Sequence, residues 1–163
     1  MEAVILVGLQ GSGKSTFYKQ RFAGTHIHIS LDVLKTRKQE KRVLEIAIQS
    51  RQNFVIDNTN PTAREREEYI RLAKAAGYVV RGYYFDCTVE ECLKRNELRL
   101  GKARVPRIGL FAARKKLQIP NKIEGFNELF VVRPNLEAAF SVMPMPEPFE
   151  PLAFTKATRE GAE

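Results

Sequence analysis

The sequence predicts an α/β fold in three layers, with helices on both faces of a mainly parallel sheet of about five strands. Three observations predict it. Short apolar runs alternate with stretches of helical periodicity: "AVILV", "HIHIS", "NFVIDNTN", "YVVRGYYFD" and "ELFVVR". The first of these is continuous rather than alternating, the pattern of a strand covered on both faces. A glycine-rich loop, "GLQGSGKST" at 8–16, follows it at once, where a parallel strand would turn into a helix.

"AVILV" (3–7) is the first strand, and a helix follows from about Lys14 to Ala23, with Gly24 placed to close it. "HIHIS" (26–30) reads as a short second strand. A polar, basic helix comes next, on which Val43, Leu44, Ala47 and Ile48 recur at helical spacing. "NFVIDNTN" (53–60) is a third strand ending in a polar turn. For the following helix, Asn60 can N-cap, Pro61 suits the first position and Gly77 the end. Its inner stripe is Tyr69, Ile70, Ala73 and Ala76, and Glu67 pairs with Arg71 on the wet side. "YVVRGYYFD" (78–86) is the fourth strand. Thr88 and Glu91 form a capping box for a helix carrying Val89, Cys92 and Leu93. A very basic stretch, "KRNELRLGKARVP" (94–106), leads to a helix starting near Pro106, with Ile108, Phe111 and Ala112 on one face. "ELFVVR" (128–133) is the fifth strand.

The last thirty residues differ. Five of the eight prolines lie there (Pro134, Pro144, Pro146, Pro148, Pro151), which favours extended backbone from about 144. Yet Phe140, Met143, Met145, Phe149, Leu152 and Phe154 are too apolar for a solvated linker. The chain thus divides into a domain at 1–133, with a lid at about 95–106, and a C-terminal arm at 134–163. The arm is expected to lie on the core or on a second subunit, with its end frayed after Thr155.

Composition narrows the function. The 163 residues are 44% apolar and 28% charged, enough for one domain with a real core. No apolar run is long enough to cross a bilayer, and the acidic N-terminus "MEAVILVG" is no signal peptide. Cys87 and Cys92, spaced C-x4-C with no histidine nearby, read as free thiols of a reducing, cytoplasmic compartment rather than as metal ligands. The net charge is +8. Five acids against two bases give residues 134–163 a charge of −3, which leaves +11 on the rest. A core that basic suits polyanionic partners, although surplus Lys and Arg also serve solubility.

Four stretches carry chemistry. Gly8, four residues, then Gly13, Lys14 and Ser15 fit G-x-x-x-x-G-K-[ST], the phosphate-binding loop. Its backbone N–H groups surround a β-phosphate, and the helix N-terminus adds positive potential. Gly11, Ser12, Gly13, Lys14, Ser15 and Thr16 are therefore the expected ATP contacts. Lys14 reaches the β- and γ-phosphates, and Ser15 is a ligand of Mg2+. Asp32, beyond the second strand, can accept a hydroxyl proton, and Lys35 one turn later can hold an anionic group on the acceptor. Alternatively, Asp32 caps a helix. In "DNTNP" (57–61), Asp57 can hold a Mg2+-bound water while Asn58 and Thr59 bond a sugar or phosphate of the acceptor; helix capping is compatible with these roles. In the basic stretch, Arg95, Arg99, Lys102 and Arg104 could form a cationic clamp on a closing lid. A solvated helix end would account for one or two of them.

The segments "GLQGSGKST", "SLDVLK", "VIDNTNP" and "LKRNELRLGKARVP" occur in the order found in polynucleotide 5′-hydroxyl kinases. The chain resembles that family over roughly residues 3 to 120. The resemblance implies a P-loop kinase fold and ATP-dependent phosphorylation of a DNA or RNA 5′-OH end. It also implies that Asp32 is the general base, that Arg99 contacts the phosphates, and that Arg95 packs on the adenine or its ribose. Phage-type members have arginine where this chain has Lys35, so a point charge replaces a bidentate fork. No D-x-D-G-T stretch of the often-fused 3′-phosphatase occurs here, so a lone kinase is expected, with a ligase or phosphatase partner in trans. Two other readings compete. One is a small-molecule kinase acting on a sugar, nucleoside or antibiotic; the other is a nucleotide-gated nucleic-acid-binding module without phosphotransfer.

Overall fold

A computed structural model describes residues 1–101, 104–134 and 139–152. The expectations for Lys102, Phe154 and the end after Thr155 fall outside them. Strand β1 (Glu2–Val7) leads through the glycine loop into helix α1 (Lys14–Arg21). Then come β2 (Ile27–Ile29), the single-turn helix α2 (Leu31–Leu34), α3 (Arg37–Gln49) and β3 (Phe54–Asp57). The second half contains α4 (Ala63–Ala75), β4 (Val79–Phe85), α5 (Val89–Glu97), α6 (Arg107–Lys116), a 3-10 turn (Lys122–Glu124), β5 (Glu128–Pro134) and β6 (Phe140–Pro144).

The sheet order is β2-β3-β1-β4-β5-β6, parallel except for the last pair. β1 is central, with Ile5 in register with Ile56 of β3 and Gly82 of β4. Its alternation splits the core. Ala3, Ile5 and Val7 face one layer with Leu44, Ala47, Tyr69, Ile70 and Ala73 of α3 and α4. Val4 and Leu6 face the other with Phe17, Tyr18 and Phe22. A third, smaller cluster joins Leu9, Cys87, Cys92, Leu93 and Leu110 beneath α5 and α6. Among the described residues, no helix is long and apolar enough to cross a membrane.

Several expectations are corrected. The sheet has six strands, because Phe140–Pro144 pairs antiparallel with β5. Half-buried Phe140 and Val142 alternate with exposed Ser141 and Met143, a strand period that the flanking prolines obscured. Phe140 packs edge-on against Phe17 at 5.2 Å. Helix α1 ends at Arg21 with Phe22 as its cap, so Gly24 plays no left-handed role. Thr62, not Asn60, caps α4, its side chain accepting from the Glu65 N–H. Asn60 is buried with a left-handed φ of 46°, and its amide donates to the Leu6 carbonyl. Arg66, on the same helix, is fully buried; its guanidinium binds both oxygens of Glu124 at 2.7 Å. On α6, Ile108, Phe111 and Ala112 share one face as expected, and that face is the solvent side, with Leu110 the inner residue. The Gly77 ending and the Thr88–Glu91 capping box stand as expected.

Candidate active site

A cavity of about 530 Å³ opens beyond the carboxyl ends of β1, β2 and β3, where open parallel sheets place ligands. Its lining brings together Gly11, Gly13, Lys14, Ser15, Asp32, Lys35, Asp57, Asn58, Thr59 and Arg99, ten residues singled out from the sequence. Gln10, Leu31, Arg37 and Val105 complete it.

The glycine loop has the conformation its composition demands. Gly11 and Gly13 sit at φ 81° and 101°, where side chains are strained. A Cβ on Gly11 would also collide with the Cys92 carbonyl. The loop curls around Lys14, whose Nζ donates to the Gly8 and Leu9 carbonyls at 2.8 and 2.7 Å. Burial lowers the Lys14 pKa to about 8, against the opposing pull of Asp57. A buried ammonium held by carbonyl dipoles beside an open cavity is a site prepared for an anion.

Ser15 Oγ donates to Asp57 Oδ2 at 2.8 Å. The same oxygen lies 2.9 Å from Nε2 of His28, whose ring stacks on Tyr18 at 3.9 Å. Burial pushes the Asp57 carboxyl up, but the His28 hydrogen bond, Lys14 and the Ser15 hydroxyl together hold it below its usual range. Asp57 is therefore a buried carboxylate beside a hydroxyl, a pair of hard oxygens suited to Mg2+ directly and through water. The residues present fit that ion.

Across the cavity, Ser30 caps α2, accepting from the Asp32 N–H at 3.3 Å. Capping thus falls to Ser30, and the Asp32 carboxylate is left exposed on the cavity wall. Lys35 ends α2 at φ 66°, and its Nζ folds back onto the Asp32 carbonyl. Both residues consequently line the same wall.

Asn58 lines the cavity with both ends of its carboxamide engaged. Its Oδ1 accepts from the Leu31 N–H at 2.9 Å, and its Nδ2 donates to Glu40. Glu40 is buried and also receives Tyr69 Oη at 3.1 Å and Arg37 Nη1 at 2.8 Å. This network fixes α2 against α3. His28, Arg37 and Glu40 were not singled out from the sequence, and Tyr69 only as part of an inner stripe, because the partner of a polar group on another element cannot be read from spacing. Thr59 lines the cavity and its carbonyl accepts from the Gly8 N–H at 3.1 Å.

Arg99 and Val105, from the segment between α5 and α6, close the remaining side. Buried Asn96 anchors that segment, donating to the Val105 carbonyl at 2.7 Å and accepting from its N–H at 3.0 Å. Four expected residues stand off the cavity lining, among them Arg104, exposed ahead of α6. Ser12 is buried beneath the loop, Thr16 is exposed on α1, and Arg95 donates to Cys87 Sγ at 3.1 Å. Cys87 and Cys92, with Sγ atoms 3.2 Å apart, flank the capping box of α5 as a staple. Asp86, at the end of β4, is taken up by Arg133 at 2.9 Å and by the Leu152 N–H.

Comparison with known proteins agrees with this geometry. The chain is 31% identical over 138 residues to a putative bifunctional polynucleotide phosphatase/kinase of Acanthamoeba polyphaga mimivirus, covering 80% of this chain and 33% of that protein. It is 28% identical over 132 residues to the bifunctional polynucleotide phosphatase/kinase of Schizosaccharomyces pombe, covering 78% and 32%. The chain therefore spans about a third of the length of these curated relatives. In fold it is similar to Kti12 of Chaetomium thermophilum, solved in complex with ADP-AlF3, with a TM-score of 0.61 at 18% identity over 83% of this chain and 92% of that one. The fold is thus a P-loop kinase-like α/β fold, and the family model for the AAA domain matches residues 4–120: the chain belongs to the AAA_33 family of AAA domains.

Proposed function

We propose that the protein is an ATP-dependent kinase that transfers the γ-phosphate to the 5′-hydroxyl of a polynucleotide. The observation that carries this reading is a single cavity lined by both the Lys14–Ser15 loop and the Asp32–Lys35 wall. Donor and acceptor groups then meet without the chain having to rearrange. The names of the two curated relatives support the polynucleotide acceptor.

The loop amides of residues 11–16 bind the β-phosphate, and Lys14 moves from its two carbonyls onto the β- and γ-phosphates. Ser15 and Asp57, the latter through water, would hold Mg2+, which when bound neutralises phosphate charge. Asp32 accepts the 5′-hydroxyl proton as that oxygen bonds to the γ-phosphorus and the bond to the ADP oxygen breaks. Lys35 holds the phosphate on the 3′ side of the reacting nucleotide. Arg99 faces the charge that spreads over the transferred group. Asn58 orients the acceptor wall through Leu31 and Glu40, while Thr59 borders the acceptor.

The deciding experiment offers ATP labelled at the γ-phosphate to a 5′-OH oligonucleotide, its 5′-phosphorylated counterpart, a free nucleoside and a sugar. Label on the 5′-OH oligonucleotide alone is expected. Label on the nucleoside or sugar in preference would make this a small-molecule kinase. Binding of the oligonucleotide without label transfer would make it a nucleotide-gated binding module.

A further inference from the structure

The outer side of α6 and the segment before it carry a charge pattern that the reaction at the cavity does not use. Residues 98–123 contain eight Lys and Arg and no acid, a charge equal to the net +8 of the whole chain. Within this stretch, several apolar side chains are exposed rather than buried. Leu98, Leu100, Ile108 and Ile123 are all more than four-fifths exposed, and Phe111 is half exposed.

Helical spacing orders part of this surface. Ile108, Phe111, Ala112 and Lys115 stand at i, i+3, i+4 and i+7, a single exposed stripe on α6. The opposite side is satisfied, because Leu110 packs with Leu9, Cys87, Cys92 and Leu93. An apolar stripe in water needs a reason. This one ends in Lys115 and Lys116, and α6 has no acid in its first turn. It also begins three residues after Val105, which with Arg99 lines the cavity.

We infer that this face is the track for the acceptor strand beyond its reacting nucleotide, and that its ligand is single-stranded nucleic acid. Unpaired bases present flat apolar faces joined by a charged backbone. They match an exposed aromatic and aliphatic stripe edged by cations, where stacking and phosphate contacts act together. No carboxylate occurs among these 26 residues, and those that approach them, Glu97 at 3.9 Å from Arg107 and Glu147 at 3.7 Å from Lys122, leave Lys115 and Lys116 without an acid beside them in sequence. Duplex, with its bases stacked inside, presents only the phosphates.

This inference rests on the polynucleotide reading above, and direct binding separates the two. Fluorescence anisotropy is measured with a labelled 5′-OH single-stranded 12-mer for the wild type, the double variant Ile108→Ser/Phe111→Ser and the double variant Lys115→Ala/Lys116→Ala. The KM of each for a nucleoside 3′-monophosphate acceptor and for ATP is measured in parallel. The apolar variant is expected to weaken 12-mer binding about tenfold. The lysine variant, which touches no core residue, is expected to flatten the plot of log affinity against log salt by about two. Both should leave the two KM values unchanged. Unaltered 12-mer binding in both variants would overturn the inference. So would equal losses for the 12-mer and the mononucleotide, or a self-association of the wild type that the apolar variant abolishes while 12-mer binding stays intact. Tight, variant-sensitive binding without transfer to any oligonucleotide would keep this surface and overturn only the kinase reading.

Discussion

Lys14 is buried in the ligand-free protein, with its pKa lowered from 10.5 to about 8, chiefly by desolvation. The unfolded chain keeps its proton up to the ordinary lysine value, whereas the folded chain releases it near pH 8. Between those values the unfolded state binds more protons, so stability rises with pH across that window and is flat on either side. The depression integrates to about 3 kcal/mol, the cost of keeping a charged Lys14 in the fold at neutral pH. Lys14→Met carries no such proton. Urea unfolding of wild type and variant from about pH 7 to about pH 10 should therefore show the wild type gaining most of that 3 kcal/mol relative to the variant. Titrating tyrosines cancel in the difference. The same proton links to nucleotide, since phosphate binds the ammonium and not the amine. Nucleotide affinity should fall about tenfold from pH 7 to pH 9, with proton uptake on binding read by calorimetry in two buffers of unlike ionisation heat. Parallel stability curves for wild type and variant would refute the argument, because they would mean that the Lys14 ammonium is solvated in the fold.

The other predictions are briefer. Asp32→Asn should keep nucleotide affinity while kcat drops ~10²–10⁴-fold; a rate near wild type would show that Asp32 accepts no proton. Gly11→Ala forces a left-handed φ on alanine and drives its Cβ into the Cys92 carbonyl. It should cost roughly 1–3 kcal/mol of stability and weaken nucleotide binding, both checked by thermal unfolding with and without ATP. Arg66→Ala strands the Glu124 carboxylate, whose side chain is 9% exposed, and also removes donors to the Asn60 and Gln118 carbonyls. A loss of roughly 3–5 kcal/mol is expected, read from the urea midpoint, whereas a loss below 1 kcal/mol would mean that water reaches Glu124 in the fold.

Ten of the cavity residues could be read from the sequence because backbone spacing alone specifies them. The glycines of "GLQGSGKST" admit positive φ whatever surrounds them, and Asp32, Lys35 and Asp57–Thr59 follow short strands whose carboxyl ends a parallel sheet must gather at one edge. The continuous apolar run "AVILV" likewise marked a strand covered on both faces, as β1 is. What tertiary structure decided is which polar groups meet. The convergence of His28 and Ser15 on one oxygen of Asp57, the Glu40–Asn58–Tyr69 network and the Arg66–Glu124 pair join residues 18 to 58 positions apart. A hydrogen bond depends on distance in space and has no period along the chain. Which face of α6 is buried has the same cause. Ile108, Phe111 and Ala112 share a helical side with as much apolar character as Leu110 and Ala113, so periodicity offers two faces, and only the position of the Leu9–Cys92–Leu93 cluster selects the one to bury.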